Sequence, residues 1–348
     1  MSSMPVNAAT VSSAVIAAAL SGWFRDHGRD YPWRQTRDPY AILVSEIMLQ
    51  QTQIATVLDR GYYSRWLERF PDFQTLASAR EEDVLKAWEG LGYYRRARNL
   101  QRLAGEVMEK HGGAFPRDHA SILALPGVGP YTAGAVASFA FGLVAPIVDG
   151  NIARVLSRVF DDSTPIDSAA GTQRLWERAA LLVNAAEDPR VFNSALMELG
   201  QRHCTPARPA CDVCPVRQFC RAKEPEKLPV KQTRQVMTEV TERVVFVRTD
   251  KGILLEQETG KRRTGLWKLP ALPSAHEGRL PPVLLRTRYG ITRYKVTLWV
   301  HEPHDVGDAW PETHRVIDMD ELDSTPMPAP YRRALRELLA HGSFKLES

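Results

Sequence analysis

The sequence predicts an α+β protein overall: a larger all-α part, then a small α+β part. Three observations predict this. From about residue 8 to residue 200, apolar residues recur at three- and four-residue spacing, as in YAILVSEIMLQQTQIATVL and SILALPGVGPYTAGAVASFAFG, and β-branched runs are scarce. Beyond residue 240 the pattern changes to the strand-like runs RVVFVRT, GILLEQE and YKVTLWVHE, closed by a helix from Pro330 to Ala340. Between them RAKEPEKLPVKQTRQVMTEVT is charged, holds two prolines and lacks an apolar face, so it reads as a linker. The expected boundaries are 8–225, a linker over 226–238, and 239–348.

The 348 residues suffice for two domains, and 44% apolar residues suffice for two cores. The 25% of charged residues and a net charge of +4 fit a soluble protein with a mild basic bias, compatible with nucleic acid. No apolar run reaches the roughly 18 residues of a membrane span, so no membrane is expected. AVIAAAL, Ala14 to Leu20, has no basic segment before it and reads as a core helix rather than a signal peptide. Helix starts are marked at Asp38-Pro39, at Asp118 and at Asp167-Ser168. No repeat or low-complexity tract is present.

All four cysteines lie in CTPARPACDVCPVRQFC, spaced Cys204-x6-Cys211-x2-Cys214-x5-Cys220. In a reducing compartment such a group serves metal binding rather than disulfides. The spacing leaves zinc and an iron–sulfur cluster open. Zinc knuckles use two tight pairs, whereas only Cys211 and Cys214 form one here. A proline-stiffened, unevenly spaced loop suits the wider cubane.

LPGVGPYTAGAVASF, Leu125 to Phe139, sets Gly127 and Gly129 directly before a helix. Glycines there let backbone N–H groups approach a phosphate, which the helix N-terminus favours. This is a helix-hairpin-helix pattern over about 121–140, a device that positions DNA without reading its sequence. Glu46 stands inside the apolar run SEIMLQQTQ, and Asp149 in PIVDGNIARVLSR stands at a helix start. Alone, the first is a solvated helix face and the second an N-cap. Together, near a phosphate grip, they suit an acid and a charge stabiliser for glycosidic cleavage.

The hairpin, Asp149 and the cysteine loop resemble the endonuclease III superfamily of DNA glycosylases. YPWRQTRDPYAILVSEIMLQQTQ, GLGYYRRARNL and VDGN are similar to the adenine DNA glycosylases, the MutY family, over about residues 20–220. GLWKLP resembles the family's Nudix-like C-terminal domain, although no glutamate-rich Nudix box follows it. The resemblance implies a helix-hairpin-helix glycosylase domain, one 4Fe–4S cluster held in loop 204–220, and a Nudix-like domain after it. It implies a monomeric, cytoplasmic enzyme (nucleoid-associated in a bacterium) acting on double-stranded DNA. The reaction would remove adenine opposite 8-oxoguanine or guanine.

By the same resemblance Glu46 is the general acid, Asp149 stabilises the sugar cation and Asn151 supports it. Tyr131 stands where bifunctional relatives have lysine, and a phenol forms no Schiff base. Arg29, Trp33, Arg34 and Leu49 line the adenine pocket, with Ser194 where relatives often have Gln or Glu. Gln51 and Tyr93 are side chains inserted into the base stack. Arg95, Arg96, Arg98 and Arg102, beside Tyr93 and Tyr94, are expected on the DNA backbone. Ile291-Thr292-Arg293 aligns with the Phe-Ser-His loop that reads the lesion, which keeps a hydroxyl at Thr292 and adds the charge of Arg293. The competing functions are an endonuclease III-like glycosylase/lyase for oxidised pyrimidines and a catalytically silent iron–sulfur DNA-binding protein. Tyr131 and the extra domain oppose the first; the presence of both Glu46 and Asp149 opposes the second.

Overall fold

The computed structural model describes residues 12–232, 236–260, 263–272, 280–291, 293–303 and 311–340. Its helices are α1 Ser13–His27, α2 Pro39–Leu49, α3 Ile54–Asp59, α4 Tyr62–Arg69, α5 Phe73–Ser78, α6 Glu81–Ala87, α7 Arg95–Lys110, α8 His119–Ala124, α9 Pro130–Phe141, α10 Gly150–Val159, α11 Ala169–Asn184 and α12 Pro189–Arg202. Strands β1 Thr238–Val245, β2 Ile253–Gln257, β3 Trp267–Lys268, β4 Val283–Ile291, β5 Tyr294–His301 and β6 His314–Ile317 follow, then α13 Ala329–Ala340. The α+β reading therefore holds, with all helices before all strands except α13. No helix among the described residues is long and apolar enough to cross a membrane.

Backbone contacts divide the chain into two units, Met1–Gln50 with Glu106–Arg234, and Gln51–Gly105 with Gln235–Ser348. In the first unit the helix starts are set by side chains that satisfy otherwise orphaned N–H groups. Asp38 accepts from Tyr40 and Ala41 N at 3.1 and 3.2 Å, Asp118 from Ser121 N at 2.8 Å, and Ser168 from Gly171 N at 3.0 Å. Helix α2 is buried from Tyr40 to Met48, so it has no solvent face, and it packs on α9. Helices α8 and α9 form the hairpin. Gly127, at φ 76°, makes the turn that a Cβ would strain. Gly134 lets the chain at Pro146 lie against α9, since a Cβ there would meet the Pro146 carbonyl at 2.3 Å.

The second unit contains helices α3 to α6, most of α7, and the strands. Its sheets are ordered β1-β5-β4 and β3-β2-β6. β1 runs parallel to β5, and β4 antiparallel to it with Ile291 opposite Tyr294. Alternation in β5 buries Val296, Leu298 and Val300, and the last two join Ile253, Leu255, Tyr331 and Leu335 in one core. Glu242 on β1 joins both layers: it accepts from Tyr289 on β4, from Tyr331 on α13 at 2.8 Å and from Arg263 at 2.9 Å. Two details differ from the sequence reading. β1 begins inside the stretch read as linker, because TEVT alternates only once β5 is beside it. β4 lacks a clean alternation and buries no side chain fully, and β6 has only four residues, so neither signals a strand, and each is completed by a partner strand.

The strand region closes on helices of its own unit. The buried Arg332 guanidinium binds Glu89 at 2.7 and 3.1 Å and also donates to the Leu322 and Thr325 carbonyls. Tyr94 donates to the Met327 carbonyl at 3.1 Å, and Arg98 donates to Glu81 at 2.8 Å and to the Thr264 carbonyl. Removing one partner of a buried ion pair leaves an uncompensated charge, so Arg332→Ala should destabilise the protein by about 3–5 kcal/mol in chemical unfolding. The exposed neighbour change Arg333→Ala should stay within about 0.5 kcal/mol of wild type.

Candidate active site and cysteine loop

Glu46 sits in the middle of the buried helix α2, with 5% of its surface exposed. Helix α9 brings Tyr131 against it, and the phenol donates to Glu46 Oε2 at 2.9 Å. Burial pushes the Glu46 carboxyl from 4.5 up to about 7, against the Tyr131 hydrogen bond; the Asp149 charge adds to the rise and Arg34 opposes it. Burial, then the charges of Glu46 and Asp149, push the Tyr131 phenol well above 10, so it remains a neutral donor. A helix of apolar side chains thus holds a carboxyl that is half protonated near neutrality.

Asp149 caps α10, accepting from Ile152 N at 2.7 Å, and also accepts from Asn151 Nδ2 at 3.1 Å. Its capping role is real, and the same two bonds fix the position of its carboxylate. The structure therefore brings Glu46, Tyr131, Asp149 and Asn151 together, from three helices distant in sequence.

Two of the expected pocket residues, Arg29 and Arg34, meet a side chain that sequence reasoning missed, Glu198. This carboxylate is fully buried on α12 and pairs with Arg34 and, at 3.2 Å, with Arg202. It also accepts from the Arg29 backbone N–H at 3.0 and 3.2 Å. Arg34 stacks on Phe24 and Tyr31, each at 4.8 Å, and the Tyr31 ring stacks on buried Trp33 at 5.2 Å. Ser194 is buried on α12 and Leu49 is half-buried at the end of α2. The helical period puts Ser194, Met197 and Glu198 on one face of α12, and the Met197 sulfur lies 3.8 Å from the Tyr131 hydroxyl. A carboxylate in MELGQR, four residues before an arginine, was the available signal.

Two further missed residues are Arg154 and Arg158, four apart on α10 and buried. Arg154 donates to Asn151 Oδ1 at 3.0 Å, to the Gly200 carbonyl at 2.7 Å and to the Cys204 carbonyl at 2.7 Å. A chain of hydrogen bonds therefore runs from Asp149 through Asn151 and Arg154 to the first cysteine. Arg158 donates to Cys204 Sγ at 3.3 Å and to the Thr205 and Pro206 carbonyls at 2.7 and 2.9 Å. Arginines in an apolar helix carry the same signal as Glu46 did.

Cys204, Cys211, Cys214 and Cys220 all line one cavity of about 100 Å³, with Val155, Leu199 and Val216 in its walls. Burial pushes the Cys214 thiol up to about 11 and raises Cys220 as well. No group of three or more His, Cys, Asp or Glu among the described residues is gathered tightly enough to hold a metal ion. A single zinc needs four sulfurs at about 2.3 Å from one point. The four thiols instead share the walls of one space, where a single bound group could be reached by all of them.

Other expected site residues belong to the second unit. Gln51 and Tyr93 carry exposed side chains on backbone in the left-handed region, at φ 58° and 47°. Such conformations cost on the order of 1–3 kcal/mol for residues other than glycine. Of the arginines expected on DNA, Arg96 and Arg98 are engaged inside the unit; Arg95 and Arg102 are exposed. Arg293 lies just before β5, its guanidinium 5.3 Å over the Tyr294 ring, and Thr292 lies outside the described residues. Gly129 caps α9 in extended backbone with open space around it.

Residues 44–180 match the family described as HhH-GPD superfamily base excision DNA repair protein. The chain is 48% identical over 215 residues to an adenine DNA glycosylase of Homo sapiens, covering 59% of this chain and 39% of that protein. It is 31% identical over 258 residues to an adenine DNA glycosylase of Buchnera aphidicola subsp. Schizaphis graminum (strain Sg), covering 73% of each. The chain thus spans about two fifths of the length of the mammalian relatives it matches. Among solved structures it is similar to a thermostable thymine-DNA glycosylase, with a TM-score of 0.56 and 34% identity over 61% of this chain and 96% of that one.

The raised Glu46 carboxyl has a stability consequence. Between pH 4.5 and about 7 the folded protein holds a proton there that the unfolded chain has lost. Stability from this group is therefore greatest below 4.5 and falls as pH rises, by about 3 kcal/mol once above 7. Glu46→Gln should gain on wild type by that amount between pH 4.5 and 8 in urea unfolding. A difference that stays constant across the range would mean that Glu46 titrates as an ordinary carboxyl.

Proposed function

The chain belongs to the adenine DNA glycosylase family, and from that premise we propose that it is a monofunctional glycosylase of base excision repair. Its substrate is adenine opposite 8-oxoguanine, and more weakly opposite guanine, in double-stranded DNA. In this reading residues 8–225 are the glycosylase domain, 226–238 a linker and 239–348 a Nudix-like domain, and the protein works as a cytoplasmic monomer. The observation that carries the proposal is the buried Glu46 carboxyl, at about 7, bonded by a tyrosine and near the helix-capping Asp149.

Adenine leaves poorly as an anion, so the reaction needs an acid that is protonated near neutrality. Glu46 gives its proton to the extruded base. The bond between base and sugar breaks with its electron pair going to adenine, and positive charge develops on the sugar. Asp149, fixed by Ile152 N and Asn151, faces that charge as a preorganised anion. Water adds to the sugar, its proton leaves, and the product is an abasic site. Tyr131 orients Glu46 and offers no amine, so strand cleavage does not follow. Trp33, Arg34, Arg29, Leu49 and Ser194 form the base pocket, Gln51 and Tyr93 fill the vacated stack, and the backbone at Gly127 and Gly129 grips a phosphate. Thr292 and Arg293 contact the opposite lesion.

Cys204, Cys211, Cys214 and Cys220 would hold one 4Fe–4S cluster, supported by the common cavity they line. Bound there, the cluster would cross-link the loop after α12 through thiolate bonds. Arg154 and Arg158 hold the loop's carbonyls from α10, and Arg208, Arg217 and Arg221 supply basic charge around it.

Glu46→Gln should abolish adenine release while leaving duplex binding intact, and wild-type excision should decline as pH rises through about 7. A single-turnover assay on A opposite 8-oxoguanine, A opposite guanine and thymine glycol opposite A measures this. Thymine glycol release with borohydride trapping would favour the lyase reading instead. Purified protein should be yellow-brown and contain iron and sulfide in equal amounts; colourless protein with stoichiometric zinc would exclude the cluster.

A further inference from the structure

Gln51 and Tyr93 combine two features that seldom coincide. Their backbones are in the left-handed region, yet their side chains are exposed, so no core packing repays the strain. The other non-glycine residue in that region among the described residues, Asp161, merely closes the end of α10. One half-buried side chain touches both strained turns. Arg96, on the first turn of α7, donates from Nη2 to Thr52 Oγ1 at 3.3 Å, to the Leu91 carbonyl at 2.9 Å and to the Gly92 carbonyl at 3.2 Å. Thr52 directly follows Gln51, and Gly92 directly precedes Tyr93. Its guanidinium also lies 5.2 Å from the Trp88 ring and 5.6 Å from the Tyr93 ring. The Trp88 indole N–H binds the same Gly92 carbonyl at 3.0 Å.

We propose that Arg96 is the positioning residue for the two DNA-inserting side chains, clasping the turn of Gln51 to the turn of Tyr93 so that both are presented at one spacing. The inference rests on reading Gln51 and Tyr93 as inserting residues. Its geometry lies within the second unit. A planar guanidinium suits the task because it stacks on two rings while its in-plane N–H groups reach acceptors on both turns. Burial lowers its pKa only to about 10, so the clasp stays charged at neutral pH. Two loops held separately would each have to be ordered when DNA arrives, and the clasp removes that entropic cost beforehand.

The test is a double-mutant cycle on the full-length protein. The probe is a duplex with uncleavable 2′-fluoro-2′-deoxyadenosine opposite 8-oxoguanine, compared with an undamaged duplex. Arg96→Met keeps the apolar stem and removes the donors. It should weaken binding to the lesion duplex about tenfold, leave undamaged-duplex binding unchanged, and add less than about twofold in a Tyr93→Ala background. Equal weakening in both backgrounds, or of both duplexes, would make Arg96 a general scaffold residue and overturn the proposal. If Tyr93→Ala and Gln51→Ala bind as wild type, the insertion reading itself has failed, and the clasp with it. If those two weaken binding while Arg96→Met does not, insertion stands and the clasp is wrong. Should Arg96→Met not fold, Thr52→Val removes one acceptor only; about threefold weakening that vanishes in Gln51→Ala supports the clasp, and an unchanged affinity overturns it.

Discussion

The hydrogen bond from Tyr131 to Glu46 is the contact on which the site depends. It lies inside an apolar layer made by α2 and α9, and that layer, more than the hydrogen bond, sets the behaviour of the carboxyl. Burial raises it to about 7, and the tyrosine hydrogen bond moderates the rise. The arrangement carries a stability penalty at neutral pH, which is typical of groups kept for chemistry rather than for folding. Neighbouring Asp149 acts in the same direction, since its charge opposes ionisation of Glu46.

The cysteine loop is tied to this centre by side chains rather than by proximity alone. Asp149 caps α10, and the next residues of the same helix, Asn151, Arg154 and Arg158, pass hydrogen bonds to Cys204 and its neighbours. The amide and the two arginines follow at three- and four-residue spacing and occupy one face, so the helix period aligns them, while Asp149 reaches Asn151 from the cap position. Glu198 does the equivalent work on α12, gathering Arg29, Arg34 and Arg202 around one buried anion. These polar groups are costly in a core unless every one is partnered, and here each bond goes to a named acceptor or donor.

The strand region shows how far local pattern reaches. β5 was legible because YKVTLWVHE alternates strongly and contributes a full row to the core. β4 and β6 were not, because their buried residues are few and their partners lie far along the chain. The same limit applied to arginines. In GLGYYRRARNL, Arg95, Arg96 and Arg98 look alike in sequence, yet Arg96 and Arg98 are spent on Thr52, Leu91, Gly92, Glu81 and Thr264. A basic cluster in sequence is a statement about charge, not about which charges face outward.

The sequence by itself determined the order of helices before strands, the capping residues Asp38, Asp118 and Ser168, the glycine turn at Gly127, and the candidate pair Glu46 and Asp149. These signals are local: period, cap chemistry and backbone freedom act within a few residues. Family resemblance named Tyr131, Asn151 and the pocket residues before any geometry was available. Only the tertiary structure decided that Glu46 is buried beside Tyr131, that Glu198 gathers Arg29, Arg34 and Arg202, that Arg154 and Arg158 hold the cysteine loop, that four thiols share one cavity, and that Arg96 joins two strained turns. Each of those depends on contacts between segments separated by tens of residues. Burial and pairing there are set by what packs opposite, and no window of sequence contains both sides of such a contact.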